Sequence, residues 1–388
     1  MDASNTDSPR ATTASAHAAA YGCALASLPA MGPSRLRALV HTWGFQGAWQ
    51  RVVSGAVLDH PVVAATLGQK ASAVRSDWLR SAAAIDPHAL LEAHHAAGIT
   101  VTVFGSDRYP ASLAADLDPP AVLFSMGDLD QLTGRRVGVV GTRRCTRSGR
   151  MTAMELGEQL ARAGVRVVSG LALGIDGAAH QGALGIGTGN APVVGVVGTG
   201  LDVPYPSRHQ ALWRAVAHRG VLISEVAMGG QPLAWRFPAR NRIIAALSEL
   251  VVVVESHASG GALLTVDEAL RRDRLVMAVP GSVRSPASLG TNALLHAGAS
   301  PARDAADVLT ALGFASSGFQ PGPIPDPIVS PDPADQLILS EIAGEPIGLD
   351  HLAASTGIGL TELALALVRL ELDGWIVRSG SMVQRVRR

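Results

Sequence analysis

The sequence predicts an α/β protein built around a doubly wound, mostly parallel β-sheet. Two observations carry this reading. From Ile99 onward, short continuous apolar runs alternate with segments of helical period. Runs that are apolar at every position are how strands covered on both faces read. On either side the pattern changes. Before Ile99 the periods are helical with no strand alternation, and from about Asp335 three helical segments lead into a hairpin.

The elements follow in order. Residues 1–17 (MDASNTDSPRATTASAH) are small and polar and read as a disordered tail. Residues 18–98 form a helical domain. Within it Gly32-Pro33 sets a turn between two helices, as in a helix-hairpin-helix or a small sterile-alpha-motif-like (SAM-like) bundle. Such a turn either offers N–H groups to a DNA phosphate or simply joins packed helices. Residues 99–312 form the sheet domain. Its strands are read in ITVTVFG, RVGVVG, VRVVSG, PVVGVVG, GVLISE, LVVVVE and LVMAVPG, and its helices over 151–163, 176–184, 207–218, 241–247 and 262–272. That alternation is Rossmann-like. Residues 313–334 are rich in Pro, Gly and Ser and read as a linker. Residues 335–388, three helices and a hairpin, make a winged-helix pattern.

Composition narrows the function. The chain has 388 residues, 47% hydrophobic and 16% charged, with 32 basic and 32 acidic residues. A net charge of zero excludes a wholly basic coat, so any polyanion surface is a local patch. Lys70 is the lone lysine, and arginine supplies the rest of the positive charge. Cys23 and Cys145 make neither a disulfide framework nor a metal cluster, which fits a reducing cytoplasm. The first residues lack a signal-peptide pattern, and no uncharged apolar run reaches the ~18 residues of a membrane span. Cytoplasmic localisation without a membrane partner is the expectation.

Chemistry is expected beyond the carboxyl ends of the strands, where ligands of doubly wound sheets sit. After RVGVVG comes GTRRCTRSGR. Gly141 permits a tight turn, and the following N–H groups with the Thr142 hydroxyl can face an anion. Between Arg135 and Arg150 there are six arginines and no acid, with Arg143, Arg144 and Arg147 in the loop. Ser169 and Gly170 end the next strand. Gly174 precedes Asp176, read as a helix cap, and His180 lies one turn further on. SHASGGALLT supplies another Gly-rich turn, at Gly261. FPARNRIIAALS supplies Phe237 and the fork Arg240-Asn241-Arg242, read as opening a helix behind the turn at Pro238, where arginines and a helix N-terminus suit phosphate.

Rival chemistries lack their signatures. GVVGTRRCTRSG is not GxGxxG, GxxxxGKS is absent, and so are HExxH, paired CxxC and GxSxG. No metal, cofactor or catalytic residue is expected. Glu225 and Glu255 follow strands, where they could act as a base or pair with Arg240 or Arg242.

GTRR, SGLALGIDGAAHQGAL, VVGTGLDVPYP, FPARNRIIAALS and AVPGS occur in that order. Together with PPAVLFSMGDL they closely resemble the DNA-processing protein A family, also called Smf. The resemblance spans roughly residues 99–312. It implies a non-catalytic protein that binds and protects incoming single-stranded DNA, forms a homodimer and loads the recombinase RecA in natural transformation. By motif it places Arg143, Arg240 and Arg242 at the DNA-contacting positives, with Ser169, Gly170 and 174–180 lining the same pocket. Three departures stand out: Leu173 where the family often has Arg, Ser259-Gly260-Gly261 where it often has Arg-Ser-Gly, and Arg208 where an acid is common. The alternative is a nucleotide or phosphorylated-ligand enzyme of related fold, a phosphoribohydrolase type, for which SGGALLTVDE is a loose echo and Glu268 the candidate acid. For the winged helix, the acids Asp335, Glu341, Glu345, Asp350, Glu362, Glu371 and Asp373 favour a protein partner, whereas Arg385, Arg387 and Arg388 favour duplex DNA.

Overall fold

The computed structural model describes residues 9–185, 193–314, 333–342, 346–372, 375–379 and 382–385. Contacts divide the chain into two compact units, Met1–Ser316 and Ser317–Arg388.

The first unit begins with five helices: α1 (Pro9–Ala26), α2 (Pro33–Ser54), α3 (Pro61–Leu67), α4 (Ala71–Ala82) and α5 (Pro87–Ala96). Local chemistry sets their ends. Pro33, Pro61 and Pro87 each stand at a first helical position, where the missing N–H costs nothing. Asp86 caps α5 by accepting from the N–H groups of His88 (2.9 Å) and Ala89 (3.2 Å). Trp78 is buried and its indole N–H donates to Pro29 O at 2.8 Å. α1 starts at Pro9, so residues 9–17 are helical where a disordered tail was expected; the His17 ring packs edge-on against His88 at 5.1 Å. The tail residues 1–8 lie outside the described residues.

The sheet has nine strands: β1 (Thr100–Val103), β2 (Val122–Gly127), β3 (Arg136–Val140), β4 (Arg166–Ser169), β5 (Val194–Val197), β6 (Val221–Ser224), β7 (Leu250–Val253), β8 (Leu275–Ala278) and β9 (Ser300–Pro301). Their order is β1-β2-β6-β5-β4-β3-β7-β8-β9. Strands β3 to β9 are parallel, while β2 pairs antiparallel with both β1 and β6. Two expectations change here. ITVTVFG forms an antiparallel edge strand, and VLFSMG, read only as a lead-in, is a sheet strand.

The remaining helices of this unit are α6 (Ala111–Ala114), α7 (Arg147–Arg162), α8 (Ile175–Gly185), α9 (Gln210–Arg219), α10 (Arg236–Leu247), α11 (Ala262–Leu270), α12 (Leu289–His296) and α13 (Ala305–Ala311). α7 and α8 pack closely because Gly157 and Gly182 face backbone carbonyls of the other helix, where a Cβ would collide with Ala179 O and Met154 O. Strands β5, β6 and β7 are buried throughout, and Ile243, Ile244 and Leu247 of α10 join their core.

The second unit contains α14 (Pro333–Glu341), β10 (Ile347–Gly348), α15 (Leu349–Thr356), α16 (Leu360–Leu372), β11 (Ile376–Ser379) and β12 (Met382–Arg385), with sheet order β10-β12-β11. Ile338, Leu352, Leu363, Leu367, Ile376 and Val383 form its own core. This is the expected winged-helix arrangement, with β10 as an added short strand. Asp335 pairs with Arg369 at 3.0 Å, and Arg385 donates to Leu339 O at 3.1 Å. Of the expected linker over 313–334, residues 315–332 lie outside the described residues, as do Glu345, Asp373, Arg387 and Arg388, while Pro333 already opens α14.

Candidate nucleic-acid interface

Strand β4 lies on one side of β3 and β7 on the other, so the order in which strands are added to the sheet switches sides between β3 and β7. That is where a doubly wound sheet opens a crevice. A cleft of about 850 Å³ lies there. The loop after β3, the Gly-rich turn after β7 and the first half of α10 form its walls. Among the expected site residues, Gly141, Thr142, Arg143, Arg144, Asp176, Phe237, Arg240, Asn241 and Gly261 line it. Gly170 lines a side pocket that shares Arg143, Phe237 and Arg240 with the cleft.

The loop after β3 was expected to seat an anion on its N–H groups. Two of those N–H groups are already engaged within the fold. Thr142 N–H donates to Glu255 O (2.8 Å) and Arg144 N–H to Thr142 Oγ1 (3.2 Å). Thr146 caps α7, accepting from Gly149 N–H (3.0 Å), and donates its own N–H (2.8 Å) and hydroxyl (2.6 Å) to the Glu255 carboxylate. Glu255 therefore occupies the α7 N-terminus and pairs with no arginine among the described residues. The loop also exposes the side chains of Arg143 and Arg144. Gly141 and Gly174 allow the close approach of this loop to the start of α8: a Cβ on Gly141 would meet Ile175 and Glu255 O, and Gly174 has φ +80°.

α10 begins at Arg236, not at Arg240, so Pro238 lies in its first turn and the Arg-Asn-Arg fork in its second. The fork splits. Arg240 points to the cleft; it is 6% exposed and donates to Val196 O, and its Nε has no partner among the described residues. Burial lowers its pKa to about 10, with nearby Asp176 opposing the shift. A Cβ on Gly170 would collide with the Arg240 guanidinium, so that glycine makes room for it. Asn241 reaches Gly261 O at 3.5 Å across the cleft. Arg242 points the other way. Its side chain pairs with Glu225 (2.5 Å) and Asp118 (3.5 Å) and lines no part of the cleft. The expected DNA contact from Arg242 is thus corrected to a buried ion pair.

Other expected residues are displaced by burial. His180 is fully buried, its Nε2 lies 3.2 Å from Val194 O, and burial lowers its pKa to about 4. Ser169 is also fully buried and donates to Val139 O at 2.6 Å. Neither lines the cleft. Asp176 is not the N-cap of α8 but lies in its first turn; its carboxylate accepts from Gly170 N–H (3.1 Å), and burial raises its pKa against the pull of Arg240. Gly174 is buried in the turn that precedes α8, and Arg147 is exposed at the start of α7 outside the cleft lining.

Beside the expected Phe237 stands an aromatic that sequence reasoning missed, Tyr205. Arg143 stacks with its Cζ 5.0 Å from the Phe237 ring centroid, and Tyr205 packs 5.4 Å from the same ring. Tyr205 stands in VPYPSRH, where a lone aromatic between two prolines carries no local signal of a binding role. Glu268, the acid of the enzyme alternative, pairs with Arg271 (3.1 Å) and Arg272 and does not line the cleft. Among the described residues no cluster of His, Cys, Asp and Glu could hold a metal ion. No single described helix is long and apolar enough to cross a membrane.

The family model described as DNA recombination-mediator protein A matches residues 100–313. The chain belongs to this family. A DprA winged helix domain model matches residues 322–381. Protein Smf of Escherichia coli K12 is 36% identical over 73% of this chain and 76% of its own. The DNA processing protein DprA of Bacillus subtilis is 38% identical over 58% of this chain and 74% of its own. Among solved structures, DNA processing protein A from Streptococcus pneumoniae superposes with a TM-score of 0.57 at 29% identity, covering 75% of this chain and 95% of that one. The Helicobacter pylori protein, described by its single-stranded DNA binding mode, superposes with a TM-score of 0.50 at 27% identity, covering 55% and 95%.

Proposed function

We propose that this family member binds single-stranded DNA, without catalysis, in the cleft between β3 and β7. The observation that carries the reading is the pairing of exposed Arg143, stacked on Phe237, with Arg240 at the cleft floor. Arginines neutralise backbone phosphates, while Tyr205 and Phe237 offer ring faces to bases. The single-stranded DNA binding named for the H. pylori relative agrees. The wider role we propose is that of the family resemblance: a cytoplasmic homodimer that protects incoming strands and hands them to RecA during transformation. In the cytoplasm its free cysteines, Cys23 and Cys145, stay reduced.

Fluorescence anisotropy with labelled single-stranded and duplex DNA of equal length, across a salt series, tests the site. Wild type should prefer the single strand. Its log affinity should fall by about 0.7 per phosphate contact for each decade of salt. Arg143→Ala should weaken binding and lower that slope by about one contact. A slope near zero in wild type, or Arg143→Ala and Arg240→Ala variants that bind like wild type, would remove the cleft from the account. Wild type mixed with RecA on a coated strand, followed by filament formation, tests the handover separately.

A further inference from the structure

α10 faces two ways. Phe237, Arg240 and Asn241 line the cleft. Trp235, Ala239 and Ile243 line a second cavity of about 40 Å³, whose opposite wall is Met31, Pro33 and Leu36 of the helical domain. The Trp235 ring lies against Gly32, 3.6 Å from where a Cβ would stand. The turn at Gly32-Pro33 is therefore packed on the segment that leads into α10.

A charge chain runs across the same boundary. Arg37 of α2 pairs with Asp118. Asp118 also pairs with Arg242, which donates to the Asp118 carbonyl at 2.6 Å and reaches Glu225 at the end of β6. Two arginines meet two carboxylates, so the cluster is balanced. Arg242 and Glu225 have side chains only 7% and 13% exposed. Removing Arg37 would leave two carboxylates on one arginine in a partly buried setting, where an uncompensated charge is costly. Arg242 sits two residues from Arg240 on one helix, so a shift that relieves the imbalance moves the cleft arginine too.

We propose that Arg37 of the helical domain is a positioning residue for the DNA cleft, acting through Asp118 and Arg242 on α10 without touching DNA. It rests on the reading of the cleft as a single-stranded DNA site. The helical domain then sets the affinity of a site formed entirely by the sheet domain, and whatever engages α2 at Arg37 tunes that affinity.

The test uses full-length protein and the variants Arg37→Ala, Arg37→Lys and, as the reference for a lost phosphate contact, Arg143→Ala. Two readouts are taken: hydrogen–deuterium exchange of the peptide spanning 236–247 without DNA, and anisotropy with fluorescein-labelled oligothymidylate across potassium chloride. Arg37→Ala should speed exchange in the first turns of α10 and weaken binding about fivefold, the size of a coupling between contacting residues. Its salt slope should stay at the wild-type value, and Arg37→Lys should restore both readouts. Unchanged exchange overturns the proposal. So does a slope that falls by about 0.7, as in Arg143→Ala, because Arg37 would then touch phosphate itself. A wild type that binds no single strand overturns the reading of the cleft instead, and exchange alone then decides whether Arg37 governs α10.

Discussion

Arg240 and Arg242 are two residues apart and do different work. On a helix, side chains at i and i+2 point about 200° apart, so a fork that looks like one phosphate grip becomes a cleft arginine and a buried ion pair. The residue type was legible in the sequence, but its partner was not. Asp118 lies 124 residues from Arg242 in the chain, and no local pattern announces such a pairing. Gly170 shows the converse. In the sequence it is only a glycine at a strand end, yet its missing Cβ is the space that Arg240 fills. Gly170→Ala should displace the guanidinium and weaken single-strand binding. Overpacking should also destabilise the fold by about 1–3 kcal/mol. Anisotropy and urea denaturation on the same variant read the two effects. Unchanged affinity would mean that Arg240 can move aside and still serve.

At the scale of elements, the loop after β3 is held by an acid just beyond β7. Glu255 receives Thr146 at the α7 N-terminus, where a helix dipole favours a negative group. Glu255→Ala should remove this anchor and cost about 1–2 kcal/mol, the usual size of a lost cap, and thermal denaturation reads it. Affinity for single-stranded DNA should fall in parallel, since Arg143 and Arg144 ride on the loop. A variant as stable as wild type would show that Thr146 caps α7 by itself. The parallel strands were readable because β5, β6 and β7 are apolar at nearly every position, as burial on both faces requires. β2 was not, although VLFSMG is just as buried over its first four residues. It follows Pro119-Pro120 and carries Ser125 in its middle, so it looked like the end of a loop.

At the scale of the whole molecule, buried imidazoles make stability depend on pH. His180 is fully buried with its pKa lowered to about 4. His94 is also buried with a lowered pKa; its Nε2 accepts from Met228 N–H at 3.0 Å, which ties α5 to the loop after β6. The unfolded chain takes up these protons near pH 6.5 and the folded chain only below that. The neutral-imidazole contribution is therefore complete above about pH 6.5 and declines as pH falls toward the folded values, by up to about 1.4 kcal/mol per pH unit for each histidine. Asp176 and Glu225, whose carboxyl pKa is raised by burial, work the other way as they gain protons. Denaturation across this range, compared with His180→Leu, isolates the imidazole: the variant should lose less stability on acidification, and an equal loss would mean that His180 is charged in the fold. The antiparallel pairing of β2 with β6 has a consequence for synthesis. Paired residues of the two strands lie 94 to 100 apart in the chain, and ribosomes add about 5–20 residues per second. For about 5 to 20 s, then, the hairpin of β1 and β2 leaves the ribosome with one apolar edge unmatched, and the nascent chain needs a chaperone, or its own helices, to keep that edge from finding another copy.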